Sequence, residues 1–122
     1  MAKIAITGAA SGIGAAVRKR LEDDGESVVG VDLRGAEIDA DLSGPEGRRQ
    51  AVGAIREWAD GELDRLVLCA GLGAHIDDFA AITSVNYFGA VEVMDGLRDD
   101  LAGRPGESVP LSRGLAHLPE AL

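Results

Sequence analysis

The stretch Thr7-Gly8-Ala9-Ala10-Ser11-Gly12-Ile13-Gly14 limits what this chain can build more than any other part of it. It joins an apolar, β-rich run, Lys3–Thr7 (KIAIT), to a segment in which Ala16, Val17 and Leu21 recur at helical spacing. A short apolar run without alternation reads as a strand buried on both faces. Glycine accepts positive φ and lets another group approach where a Cβ would block it. A strand that turns into a helix in this way is a βα unit, and βα units assemble layered sheets.

The pattern repeats along the chain. Residues 15–24 read as a helix with Gly25 at its C′ position. Residues 27–31 (SVVGV) read as a second strand ended by Asp32, and residues 36–42 (AEIDADL) leave room for a brief third. Pro45 suits the first turn of a helix that runs to about Ala59, with Val52, Ile55 and Ala59 inward and Gly61 closing it. Residues 65–70 (RLVLCA) are another buried strand, stopped by Gly71. The order predicts an α/β fold, a Rossmann-type doubly wound parallel sheet.

Residues 78–102 read as one long helix. Phe79, Ile82, Gly89, Ala90, Val93, Met94, Leu97 and Leu101 fall on one face, with Asn86 in its middle. Ala81, Val85 and Phe88 make a smaller apolar patch on the opposite side. The two faces predict packing against the sheet and against a partner subunit, so a homo-oligomer is expected. Beyond Ala102 the character changes: Pro105, Pro110 and Pro119 crowd the end, and no strand is expected there. The expected division is a Rossmann-type half-domain over 1–102 and an atypical tail over 103–122, with the sheet ending after its fourth strand and the long helix.

Charge and composition exclude several functions. Twelve Lys and Arg against 21 Asp and Glu leave a formal −9, which a nucleic-acid duplex or an anionic membrane surface repels. Trp58, Tyr87, Phe79 and Phe88 are all the aromatic residues, too few for a base-stacking platform. A single cysteine, Cys69, leaves no internal disulfide and no cysteine-rich zinc site. His75 and His117 have no ligand partners at metal spacing. No apolar run approaches the roughly 20 residues of a membrane span, and a cytoplasmic protein is the expectation.

The glycine turn has its own chemistry. Free N–H groups and the dipole at a helix start attract a pyrophosphate. Gly8 would make the turn, Ser11, Gly12 and Ile13 would offer N–H groups, and Gly14 would let the helix pack on the sheet. A ligand-free tight turn accounts for the spacing alone. The dinucleotide fold also expects an acid at the end of the second strand to hold the adenosine ribose. Asp32, followed by Leu33, stands 18 residues after Gly14. An acid there disfavours a 2′-phosphate and points to NAD rather than NADP; a loop acid capping a turn is the alternative.

Together these residues resemble the short-chain dehydrogenase/reductase family. The 7–14 stretch is similar to its T-G-x-x-x-G-x-G motif, and Asp32 to its NAD-selecting acid. Asp41-Leu42 resembles the adenine-pocket pair, and Cys69-Ala70-Gly71 stands where the family has N-A-G. Asn86, in S-V-N-Y-F-G, resembles the asparagine of the active-site helix. Within the family, G-V-D-L-R, A-D-L-S and L-V-L-C-A-G-L-G look most like the bacterial 3α-hydroxysteroid dehydrogenase/carbonyl reductase branch, in which cysteine for asparagine at position 69 is read as a branch trait. The resemblance implies NAD as cofactor and a steroid or other carbonyl or alcohol as substrate.

The resemblance also marks what these residues do not supply. The family's proton transfer uses a Tyr-x-x-x-Lys pair and a serine. Here the single tyrosine, Tyr87, is followed four residues on by Val91, and the lysines are Lys3 and Lys19. The family's fifth strand would begin near Ser108 and Val109, where Pro110 interrupts it. Asn86 is the one catalytic residue of the family present, and a buried asparagine bonded to backbone is its alternative reading. Three readings stay open: the cofactor half of an NAD-dependent dehydrogenase, a non-catalytic NAD-binding module, and a remnant that pairs with a full-length subunit.

Overall fold

A computed structural model describes residues 1–71 and 78–101, and the backbone of Ser108 and Val109. The central strand, β1 (Lys3–Thr7), pairs in parallel with β2 (Ser27–Asp32) from Lys3 opposite Ser27 to Thr7 opposite Val31. On its other side it pairs with β4 (Arg65–Leu68), Ile4 opposite Arg65. A two-residue β3 (Ile38–Asp39) lies outside β2, and β5 (Ser108–Val109) lies outside β4. The sheet order is β3-β2-β1-β4-β5, all parallel.

The fifth strand corrects the expectation of a sheet that ends at the fourth. Leu66 pairs with Ser108 and Val67 with Val109, so the outer edge of β4 is partly covered. Pro110 follows directly. A proline cannot donate to a ladder, but it is tolerated beside an edge strand, and β5 is the outermost strand among the described residues. His75, His117 and the remainder of the 103–122 tail lie outside the described residues.

Helix α1 (Gly12–Asp23) begins earlier than residue 15, because the last glycines of the turn form its first turn. Gly14 is buried and Val17 and Leu21 are half-buried, a three- and four-residue spacing that leaves Ala16 exposed instead of inward. The helix ends as predicted at Gly25, φ +86°. Its amide donates to Glu22 O, and that of Glu26 to Leu21 O, a Schellman closure. Helix α2 (Pro45–Ala59) starts on Pro45 and buries Ala51, Ile55 and Ala59.

Hydrophobic side chains fill both sides of the sheet. One cluster joins Ala5, Val29, Val31, Leu66 and Leu68 to Ile55 of α2 and to Val93, Leu97 and Leu101. The other joins Ile4, Ile6, Val67 and Cys69 to Val17 and Leu21 of α1. Alternate strand residues reach opposite faces, so each buried strand feeds both clusters.

The segment 79–101 is interrupted rather than one uniform helix. It comprises α3 (Phe79–Thr83), a π-helical turn (Ser84–Gly89), α4 (Ala90–Gly96) and α5 (Arg98–Leu101). Ile82, Gly89, Val93, Leu97 and Leu101 are buried as predicted, but Phe79 is 78% exposed. Phe79 is the first residue of α3, at the extreme end of the apolar face. The fork of Arg56 on α2 closes the base of this layer, bonding the buried Asp100 carboxylate at 3.0–3.2 Å and Gly96 O at 2.6 Å.

Candidate functional site

The glycine turn leaves β1 under tight constraint. The Gly8 amide donates to Val31 O at 2.7 Å, and its φ is +74°. A Cβ on Gly8 would lie 2.7 Å from the Ala70 backbone, so the turn passes closely between β2 and the residues that follow β4. A Cβ on Gly14 would lie 1.9 Å from Gly8 O, so the first turn of α1 rests directly on the strand exit. Ser11 precedes the helix in extended conformation with no side-chain cap bond. The first-turn amides of any helix have no intrahelical acceptor, which suits this helix start to an anionic ligand.

Asp32 closes the opposite side. Its Oδ2 accepts from the Ala10 amide at 3.0 Å and its Oδ1 from the Leu33 amide at 2.7 Å. A carboxylate has about four lone-pair positions, so each oxygen keeps capacity for a further donor. Asp41 is turned by its neighbour: Oδ1 accepts from the Ser43 hydroxyl at 2.6 Å and the Ser43 amide at 3.0 Å. These bonds hold its carboxyl below the ordinary carboxylate range, the hydroxyl contributing most.

These groups surround a cavity of about 350 Å³ at the carboxyl ends of the strands, within the range of about 300–1,000 Å³ usual for small-ligand clefts. Gly8, Ser11, Asp32, Leu33, Asp41, Leu42, Cys69, Ala70 and Gly71 all line it. The cavity opens where β1 is flanked by β2 and β4, the switch point at which open α/β sheets take ligands. Gly12, Ile13 and Gly14 are outside its lining, and Ile13 is 48% exposed. Asn86 is also outside it, 1% exposed within the π turn.

Some of the lining was not anticipated. Ala40 and Ser43 complete the wall beside Asp41, and Ala81 and Val85 complete the wall opposite. Ala81 and Val85 belong to the apolar patch expected to meet a partner subunit. The structure puts both on the cavity and leaves only Phe88 of that patch exposed, 45%. Their four-residue spacing set them on one helix face, but only the position of α3 against the strand ends shows what that face meets.

Cys69 is buried on the cavity, and its amide donates to Thr7 O at 3.0 Å. A thiol is a poor side-chain bridge. The tie between strand ends comes from the other side, where the Thr7 hydroxyl accepts from the Ala70 amide at 3.2 Å. Arg48 is a second unanticipated residue. Its side chain is 9% exposed and donates to the carbonyls of Leu42, Ser43 and Ser84.

A family model for short chain dehydrogenase matches residues 2–112. The chain belongs to this family. It is 47% identical over 120 residues to the 3-alpha-hydroxysteroid dehydrogenase/carbonyl reductase of Comamonas testosteroni, across 97% of this chain and 47% of that protein. It is 34% identical over 113 residues to the coniferyl-alcohol dehydrogenase of a Pseudomonas strain, across 88% of this chain and 42% of that one. Among solved structures, the 3-alpha-hydroxysteroid dehydrogenase from Pseudomonas sp. B-0831, complexed with NADH, superposes with a TM-score of 0.87 at 42% identity, across 97% of this chain and 49% of that one. The short chain dehydrogenase sequence here therefore spans about half the length of the relatives it matches. No helix among the described residues is long and apolar enough to cross a membrane.

Proposed function

We infer that this chain carries the NAD(H)-binding half of an oxidoreductase of the hydroxysteroid or carbonyl type. The observation that carries the reading is the cavity itself, with the glycine turn and helix start on one side and the Asp32 carboxylate on the other. In this reading the first-turn amides of α1 receive the pyrophosphate. The free lone pairs of Asp32 take the adenosine ribose hydroxyls, and Asp41 and Leu42 border the adenine. Bound NAD supplies the hydride acceptor, and these residues bind and orient it. Its relatives' chemistry makes a steroid or another carbonyl or alcohol the substrate, once a complete substrate site is supplied.

Proton transfer is a separate requirement. The 122 residues hold Tyr87, Lys3 and Lys19 in no Tyr-x-x-x-Lys arrangement. A positioned acid/base contributes typically about 10²–10⁴-fold, so these residues by themselves give no turnover of a 3α-hydroxysteroid with NAD above a no-enzyme control. Turnover that Asn86→Ala abolishes overturns that expectation. A second reading is a non-catalytic NAD-binding module. Supplying the second half of a homologous dehydrogenase in trans separates the two, because only the first regains activity.

Cofactor choice is tested by titrating NADH and NADPH and following nicotinamide fluorescence. NADH binds more tightly. Losing a hydrogen bond to a charged group costs about 1.5–3 kcal/mol, so Asp32→Ala weakens NADH about ten-fold or more and narrows its advantage over NADPH. NADPH binding as tight as NADH in the wild-type chain sinks the role given to Asp32.

A further inference from the structure

Arg48 belongs to none of the roles above, yet its guanidinium is buried outside the cavity and bonds three backbone carbonyls and the Glu92 carboxylate. A charge removed from water is costly unless its donors are paired, and an apolar side chain of similar size often serves stability equally well. What arginine adds is geometry: a planar fork of five donors whose relative positions do not change. Here Nε donates to Leu42 O at 2.9 Å. Nη2 donates to Ser43 O at 3.1 Å and to Ser84 O at 2.9 Å. Nη1 pairs with Glu92 on α4, and the Phe88 ring centroid lies 5.9 Å from Cζ. One rigid group thus grips two walls. Leu42 and Ser43 line the cavity on the Asp41 side. Ser84 opens the π turn that holds Asn86, and its neighbour Val85 lines the cavity opposite.

We propose that Arg48 is a positioning residue that couples the adenine-side wall at 41–43 to the π turn carrying Asn86. The proposal rests on the nucleotide-binding reading. A nucleotide that seats against Asp41, Leu42 and Ser43 sets the carbonyls of Leu42 and Ser43. The donors to those carbonyls and to Ser84 O belong to one planar guanidinium, so the π turn follows them. Lysine in this place offers a single compact donor on a flexible stem and cannot hold the carbonyls of both walls in register.

The chain provides its own probe, because Asn86 is its single asparagine and Gln50 its single glutamine. The ¹⁵N–¹H spectrum therefore contains one asparagine side-chain amide pair to follow. AMP is the ligand to use, since it fills the adenine side and carries no nicotinamide. Saturating AMP shifts the Asn86 pair in the wild-type chain. In Arg48→Lys and Arg48→Met, with loss of hydrogen bonds worth about 0.5–1.5 kcal/mol each, AMP binds about ten-fold or more weakly. At saturation in these variants the Asn86 pair stays at its free position. A merely structural arginine lowers melting temperature without separating AMP binding from the Asn86 shift. If Arg48→Met does not fold, Arg48→Lys and the wild-type shift carry the test. An Asn86 pair that ignores AMP in the wild-type chain, or moves alike in wild type and variants, overturns the coupling. A wild-type chain that binds neither AMP nor NADH overturns the nucleotide reading itself, whereas NADH binding without the coupled shift removes only the role of Arg48.

Discussion

At Gly14 a single methyl group decides whether helix α1 can begin where it does. A Cβ there meets Gly8 O at 1.9 Å, backbone against backbone, with no flexible side chain to give way. Overpacking of this kind costs typically about 1–3 kcal/mol. Gly14→Ala therefore lowers stability by that order, read as a lower urea midpoint, and removes NADH binding, because the helix start moves off the strand exit. Gly53 is the control. It lies inside α2, and an added Cβ meets nothing within 4 Å. Glycine in a helix interior is about 0.5–1 kcal/mol worse than alanine, so Gly53→Ala raises the midpoint and leaves NADH binding unchanged. Equal effects at the two positions defeat the close-approach argument.

Between elements, charged side chains tie what the sheet alone leaves loose. Glu37 stands just before β3. It accepts the Gly30 amide of β2 at 2.8 Å and pairs with Arg18 of α1 at 2.8 Å. Burial pushes its carboxyl upward, but the Arg18 guanidinium and the Gly30 amide outweigh this and hold it below the ordinary carboxylate range. A carboxylate with a depressed folded pKa stabilises the fold above its unfolded pKa, and that contribution is lost as pH falls through the folded value. Glu37→Gln is therefore less stable than wild type at neutral pH, by a modest amount because the pair is half-exposed. The difference shrinks as pH drops below the ordinary carboxylate range. Urea midpoints across that range check it: a gap that widens with acid reverses the sign and refutes the tether. Asp41, held low by Ser43, adds to the same acid limb.

On the scale of the molecule, an apolar surface among the described residues is exposed along the 79–96 segment. Phe79, Tyr87, Phe88 and Val91 are exposed there, with Tyr87 and Phe88 packed edge to face at 5.0 Å. The edge of β4, the other surface expected to associate, is partly covered by β5. Association is therefore expected through the helical segment, since exposed apolar patches mark contact surfaces. Sedimentation of the chain at low micromolar concentration shows a dimer or larger species. Phe79→Ser with Phe88→Ser shifts it toward monomer. A compact, cooperative wild-type monomer contradicts the expectation.

The order of the first four strands and of the two helices between them was legible in the chain: strand starts from apolar runs, helix ends from Gly25 and Pro45, the strand-to-helix turn from its glycines. Those signals are local, set by what neighbouring residues along the chain can adopt. The turn and Asp32 were legible for the same reason, at the ends of β1 and β2, whereas Asp41-Leu42 and residues 69–71, which share the cavity with Gly8, Ser11 and Asp32, were marked by their resemblance to the family's motifs. Only the tertiary structure decided the rest. Arg48 reads as an ordinary surface charge on α2 until the chain brings Leu42, Ser43, Ser84 and Glu92 around it. The 79–101 segment took a π turn at 84–89, Phe79 lies in solvent, and Ala81 and Val85 became a cavity wall. The pairing of β5 with β4 joins residues about forty positions apart in the chain. Such outcomes depend on which surfaces meet across long sequence separations, and no local preference of the residues involved encodes that meeting.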